Sequence, residues 1–127
     1  MYDKNNIFAK ILRGEISCNR YFENNYALAF EDINPQREIH VLVIPKGEFS
    51  DLDDFNNKAT DIEIAEFFRA ITQVVRQLGI SSSSGGYRVI SNIGVNAGQE
   101  VPHLHFHILG GEPLGRMLST RSLKEKG

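Results

Sequence analysis

The chain has one cysteine, Cys18, among its 127 residues, so no intrachain disulfide can form and a reducing compartment is expected. No uninterrupted apolar run approaches the length needed to span a bilayer. The opening stretch MYDKNNIFAKILRGE is too polar and too mixed in charge to read as a secretory signal, which makes the cytoplasm the expected location. Charge of one sign is also missing: the formal net charge is −2, and acidic and basic residues are spread along the whole chain. That leaves no clustered positive face for a nucleic-acid backbone and no membrane-seeking patch, so a small ligand is the expected partner. Repeats and domain linkers are absent too. With 41% hydrophobic residues, the chain reads as one domain over 1–127 with its own core.

The apolar pattern gives the elements. NNIFAKILRG reads as a short helix with Ile7, Phe8, Ile11 and Leu12 on one face and Gly14 just past its end. RYFENNYALAFED reads as a β-hairpin turning at Asn24-Asn25, where asparagine tolerates positive φ. EIHVLVIPK is a nearly continuous apolar run stopped by Pro45, as in a strand buried on both faces. Thr60 followed by Glu63 forms a capping box. The long helix after it carries Ile64, Phe67, Phe68, Ile71, Val74, Val75 and Leu78 in a stripe and ends at Gly79. SSSSGG reads as a flexible connector, without the Gly-Lys-Ser/Thr ending of a phosphate-cradling P-loop. YRVISNIG and HLHFHIL read as two further strands joined by VNAGQEVP. The sum is an α+β domain: an antiparallel meander of about five strands, with one long and one short helix packed against it.

Three of the four histidines, His103, His105 and His107, occupy alternate positions. On a strand they share one face, roughly 6.5–7 Å apart at the backbone, while Leu104, Phe106 and Ile108 face the core. An ordinary exposed strand face would use Thr, Lys or Glu. Two chemical readings fit three imidazoles in register. One is a zinc-like metal site, with His40 as a further ligand. The other is nucleophilic catalysis by a neutral imidazole whose second nitrogen is held by a neighbour. If 87–93 and 103–109 pair antiparallel, Asn92 lies near His103 and His105. The loop NAGQ then arches over the same end, offering backbone N–H groups and the Gln99 amide, with Gly94 and Gly98 as turn residues. Uncharged donors around a histidine suit an anionic phosphate better than a cation.

PHLHFHIL resembles the His-x-His-x-His signature of the histidine triad (HIT) nucleotide-binding family. The resemblance runs over about residues 6–118, through IFAKILRGEI, ALAFEDINPQREIHVLVIPK, GYRVISNIG and AGQEVPHLHFHILGG. The LGG after the third histidine is similar to the Hint branch, which hydrolyses nucleoside 5′-phosphoramidates. The dinucleoside polyphosphate hydrolases, the alternative activity, have a proline-arginine pair there, and the nucleotidyltransferase relatives have glutamine in place of His107.

The resemblance implies a HIT-like fold, a purine nucleotide substrate, no cofactor or catalytic metal, and a homodimer formed by pairing two sheets. It implies that His105 attacks the α-phosphorus, that His107 contacts the phosphate, and that His103 and His40 orient and electrostatically support His105. Asn92, Gly98 and Gln99 would meet the phosphate or the leaving side, with Glu100 and Val101 beside them. Asp32 would bind the ribose hydroxyls, and Ile33, Phe8, Ile11, Ile16, Phe30 and Leu42 would enclose the base. Glu100 stands where well-known members have a serine. A carboxyl there is a candidate proton donor to the departing nitrogen or a hydrogen-bonding substitute, and a nucleotide-binding regulatory protein with incidental hydrolysis is the other reading of that change. Pro102 and Glu112 replace an aromatic residue and an arginine found in many relatives. Asn5 and Ala9 stand where some relatives carry zinc-binding cysteines, so no structural zinc is expected. The C-terminal PLGRMLSTRSLKEKG would lie near the partner's pocket, with RSLKEKG solvated.

Overall fold

A computed structural model describes residues 1–119. The expectations for RSLKEKG lie outside the described residues. In chain order the elements are α1 (Ile7–Leu12), β1 (Arg20–Glu23), β2 (Ala27–Glu31), β3 (Ile39–Pro45), α2 (Leu52–Lys58), α3 (Asp61–Leu78), a 3-10 turn at Ser82–Ser84, β4 (Tyr87–Ile90) and β5 (Phe106–Gly110). The strands form one antiparallel five-stranded sheet in the order β1-β2-β3-β5-β4.

The first three strands are the expected meander, but the last two exchange places, with β5 inserted beside β3. Burial explains the exchange. Phe106 and Ile108 of β5 are buried and need sheet on both sides, whereas β4 leaves Val89 37% exposed and serves as the edge. The β1–β2 turn also differs from expectation. It bends at Asn25 and Tyr26, and among the described residues no non-glycine residue has positive φ. The Asn24 Oδ1 accepts from the backbone N–H of Tyr26 and of Ala27 at 2.8 and 2.9 Å, so asparagine acts here through its side chain.

The capping box at Thr60 and Glu63 starts α3, and Gly79, at φ +73°, ends it in the left-handed conformation that glycine adopts without a Cβ clash. α3 buries Phe67, Ala70, Ile71, Val74 and Val75, while Phe68 lies at the rim, 39% exposed. Helix α2 was not foreseen from the apolar pattern. Its segment is mostly polar, and only Leu52 and Phe55 mark an apolar face; Asp51 caps it by accepting from the Asp54 N–H at 2.8 Å. SSSSGG is a 3-10 turn and not an unstructured connector.

The strands alternate between two apolar clusters. On one face Ala27, Ala29, Val41, Val43, Phe106 and Ile108 pack with Leu104 against α3 and α2. On the other, Leu28, Phe30, Leu42 and Ile44 pack with Phe8 and Ile11 of α1. The second cluster is smaller and is bordered by the buried polar residues Asn6, His40, His103 and His105. Among the described residues, no helix is long and apolar enough to cross a membrane.

Candidate active site

The histidine segment is strand only from Phe106 onward, so the expected strand over 103–109 is shortened at its start. The backbone of 103–105 has other partners. The Leu104 N–H donates to the Phe49 carbonyl at 2.8 Å, the His105 carbonyl accepts from Ser91 Oγ at 2.9 Å, and the His103 carbonyl accepts from the His105 ring at 2.7 Å. The three imidazoles still share the α1 side of the sheet, opposite Leu104, Phe106 and Ile108, but at different depths. His105 and His107 line a cleft with ring centroids 5.2 Å apart, whereas His103 is fully buried behind them. Both His103 nitrogens are taken by hydrogen bonds, to the Pro45 carbonyl and the Tyr2 hydroxyl, which leaves this ring no free lone pair for a metal reading of the three histidines.

Partners that can only accept or only donate fix each ring's tautomer. His105 Nδ1 faces the His103 carbonyl at 2.7 Å and must carry the proton, which leaves Nε2 as a bare lone pair. His103 Nε2 donates to the Pro45 carbonyl at 2.9 Å, so its Nδ1 is an acceptor and takes the Tyr2 hydroxyl proton at 2.5 Å. The Gln36 backbone N–H donates to His40 Nδ1 at 3.1 Å, which places the His40 proton on Nε2. That proton goes to His107 Nδ1 at 2.8 Å, with the Asp32 carboxylate 3.4 Å from the same nitrogen. His107 is thereby left with its proton on Nε2.

Register explains the last contact. Leu42 lies opposite His107 and His40 opposite Leu109, so His40 and His107 are diagonal neighbours on one sheet face. His40 is buried and does not line the cleft; its hydrogen bond is to His107, whose ring lies against that of His105. Asp32, His40 and His107 bring possible metal-ligand atoms within 4.8 Å of one another. The hydrogen bonds account for this closeness, because the His40 nitrogen involved carries a proton and not a free lone pair.

All four rings are pushed toward the neutral form. Burial lowers His103 to about 4, against the opposing pull of its bond to the Pro45 carbonyl. Burial lowers His107 to about 4 as well, helped by its neighbours His105 and His40. His105 and His40 are lowered by burial too, with Asp32 pulling the other way on both. An imidazole kept unprotonated near neutral pH is a usable nucleophile.

The cleft has a volume of about 500 Å³, within the range of small-molecule sites. One part is apolar, lined by Phe8, Ile11, Ile16, Phe30 and Leu42, and the Phe8 ring stands edge-to-face to His105 at 5.0 Å. Asp32, Ile33, Asn92, Gly98, Gln99, Glu100 and Val101 line it as well. Ile33 is 84% exposed at its mouth. The Asp32 Oδ1 accepts from the Asn34 N–H at 2.9 Å, which holds the carboxylate at the end of β2.

Gln99 departs from its expected use. Its Nε2 donates to the carbonyls of Ser50 and Val101 at 2.8 and 3.0 Å, and its Oε1 accepts from the Gly94 N–H at 3.1 Å. The backbone N–H groups of Gly98 and Gln99 are also spent inside the loop, on the carbonyls of Val95 and Gly94. Gln99 is thus a clasp that shapes the loop, and its amide is not free for a ligand. Glu112 has a similar structural use, accepting from the Glu38 N–H at 2.7 Å at the start of β3.

Sequence reasoning passed over Ile7, Ser17, Cys18, Glu31, Asn34 and Gln36, which also line the cleft. Their only signal was adjacency to residues that had been named. It also passed over Tyr2, which reaches His103 from 101 positions away.

The HIT domain family pattern matches residues 13–114. An uncharacterized 13.2 kDa HIT-like protein of Azospirillum brasilense is 54% identical over 118 residues, which is 93% of this chain and 95% of that one. The purine nucleoside phosphoramidase of Escherichia coli K12 is 36% identical over 117 residues, or 92% of this chain and 96% of that one. Among solved structures, a HIT family hydrolase from Clostridium thermocellum superposes with a TM-score of 0.81 at 38% identity, covering 91% of this chain and 99% of its own. A histidine triad protein from Clostridium difficile gives the same TM-score and identity over 93% of this chain and 100% of its own. With the triad, the sheet and the sequence in agreement along most of its length, the chain belongs to the HIT family.

Proposed function

We propose that this HIT protein hydrolyses purine nucleoside 5′-phosphoramidates, with His105 as the nucleophile and without a metal or cofactor. One observation carries the reading: the His105 Nδ1–H is committed to the His103 carbonyl, so an unprotonated Nε2 is left at a cleft that also offers an apolar slot. The likeness to the Escherichia coli purine nucleoside phosphoramidase supports the choice of substrate.

In the first step the His105 Nε2 lone pair forms a bond to the α-phosphorus, and the P–N bond breaks with its electron pair leaving on nitrogen. That nitrogen takes a proton from the Glu100 carboxyl, one of three acidic side chains at the cleft, and departs as an amine. The positive charge gained by the His105 ring is stabilised by the His103 carbonyl, which accepts from Nδ1. His107 Nε2–H serves as donor to a phosphoryl oxygen, held in that tautomer by the relay from the Gln36 N–H through His40. Asp32 binds the ribose hydroxyls, and the apolar slot takes the base. Water then attacks phosphorus and gives its proton to the Glu100 carboxylate, the P–Nε2 bond breaks with its electron pair returning to the imidazole, and the nucleoside monophosphate leaves.

The test is turnover of an adenosine phosphoramidate. Wild-type protein should release AMP and amine and, on rapid alkaline quench, show a nucleotidyl group on His105 by mass spectrometry. His105→Ala should lose activity by a factor on the order of 10³ or more while AMP affinity stays within several-fold. Tight AMP binding with no turnover of any phosphoramidate would instead identify a nucleotide-binding regulatory protein.

The same reading takes the protein as a homodimer joined through the open β4 edge, since an uncovered strand invites pairing. Sedimentation equilibrium should give twice the 14.3 kDa chain mass, and a monomer at micromolar concentration would remove this part of the reading.

A further inference from the structure

Tyr2 precedes the first helix, yet its hydroxyl lies 2.5 Å from Nδ1 of the fully buried His103. We propose that Tyr2 is a positioning residue for His105, acting through His103: its hydroxyl proton holds the buried ring so that the His103 backbone carbonyl receives the His105 Nδ1–H.

The hydrogen bonds run in one direction. Asn6 Nδ2 donates to the Tyr2 oxygen at 2.9 Å, so the tyrosine's own proton turns toward the imidazole. His103 then spends its Nε2–H on the Pro45 carbonyl at 2.9 Å. The ring is thus pinned at both nitrogens, and no buried side-chain nitrogen or oxygen among the described residues lacks a partner. Removing the hydroxyl leaves a buried lone pair on Nδ1 with no donor, and the ring must tilt or change tautomer to find one. Either change moves the peptide whose carbonyl holds His105.

Asn6 extends the device to the cleft's apolar side. Its Oδ1 accepts from the Ala9 N–H at 2.9 Å and caps α1, the helix that carries Phe8 against the His105 ring at 5.0 Å. One clasp therefore sets both the carbonyl on one side of His105 and the aromatic ring on the other. Packing alone would be served by phenylalanine at position 2. The atom that tyrosine adds is the one the imidazole uses.

The kinetic consequence rests on the proposed phosphoramidate reaction; the geometric one does not. Tyr2→Phe keeps the ring and deletes the proton. Its kcat on an adenosine phosphoramidate should fall about 10- to 100-fold with KM within about two-fold, as expected for a misaimed nucleophile in an intact pocket. Long-range proton–nitrogen NMR of the AMP-bound protein should show His105 as a single Nδ1–H tautomer in the wild type and as a mixture in the variant. Asn6→Asp is the second variant. Aspartate caps α1 as well as asparagine does, but it draws the Tyr2 proton to its carboxylate, so the same losses are expected if Tyr2→Phe does not fold.

Wild-type kcat together with an unchanged His105 nitrogen pattern in a folded variant overturns the proposal. Should the wild type turn over no phosphoramidate, the functional reading fails by itself. The nitrogen spectra then decide on Tyr2 alone: a changed His105 tautomer supports it and an unchanged one overturns it.

Discussion

On β3, Val41 and Val43 turn toward α3, while His40, Leu42 and Ile44 turn to the opposite face. β5 divides in the same way, with Phe106 and Ile108 on the first side and His107 on the second. The first face is covered by two helices and holds aliphatic and aromatic side chains; Phe55, Phe67, Phe68 and Phe106 form a chain of rings 5.4 to 6.4 Å apart. Among the described residues, the second face has only the six-residue helix α1 over it, which leaves room for a cleft and puts imidazoles where side chains are half or wholly buried. A period of two in the strand thus separates burial for stability from burial for chemistry. Apolar burial on the first face contributes free energy roughly in proportion to area. Burial on the second keeps histidines neutral, and each ring needs a hydrogen-bond partner to be there at all.

The comparison breaks most sharply at Phe67, which is completely buried at the centre of the ring chain. Phe67→Ala should destabilise the fold by about 3–5 kcal/mol, from lost transfer energy and the cavity left behind. Chemical denaturation should show that loss. Below the lowered melting temperature, kcat should stay within a few-fold of wild type, because Phe67 packs in the helix-covered cluster and does not line the cleft. A variant that remained stable but lost turnover would mean the two faces are not separable.

What the sequence disclosed follows the same division. β3 was legible because seven residues, Ile39–Pro45, are nearly all buried and the run has a hard stop. α3 was legible because Thr60, Glu63 and Gly79 encode its ends locally and its stripe encodes its face. The exchange of β4 and β5 was not legible, because strand order depends on which strand can leave a face exposed, and period and propensity do not encode that. α2 escaped because Phe55 was its main apolar marker. At the site, spacing and family resemblance named fourteen residues that line the cleft, from Phe8 to His107. They could not reveal that His103 is sealed off from the cleft, that Gln99 spends its amide on its own loop, or that Tyr2 supplies a proton. Each of those is a hydrogen bond between distant segments, and no local pattern carries it.

Acid separates the two faces more gently. His103 sits at about 4 in the folded protein against an ordinary value of 6.5, because burial penalises its charged form. The unfolded chain therefore binds this proton before the folded one does. The stabilising contribution is complete above about pH 6.5, shrinks as pH falls below it, and is gone once pH passes through about 4. The amount at stake is roughly 3 kcal/mol by linkage, for a ring with no solvent-exposed surface. His103→Gln retains an N–H for the Pro45 carbonyl but cannot titrate, so its stability should decline less between pH 7 and 4. Phe67→Ala should start lower and decline in parallel with the wild type, since the helix-covered cluster around it holds no titrating histidine. Urea midpoints taken along the pH series distinguish these outcomes. Parallel curves for wild type and His103→Gln would mean that the buried imidazole titrates near its ordinary value, and the neutral network that leaves His105 Nε2 free would lose its electrostatic basis.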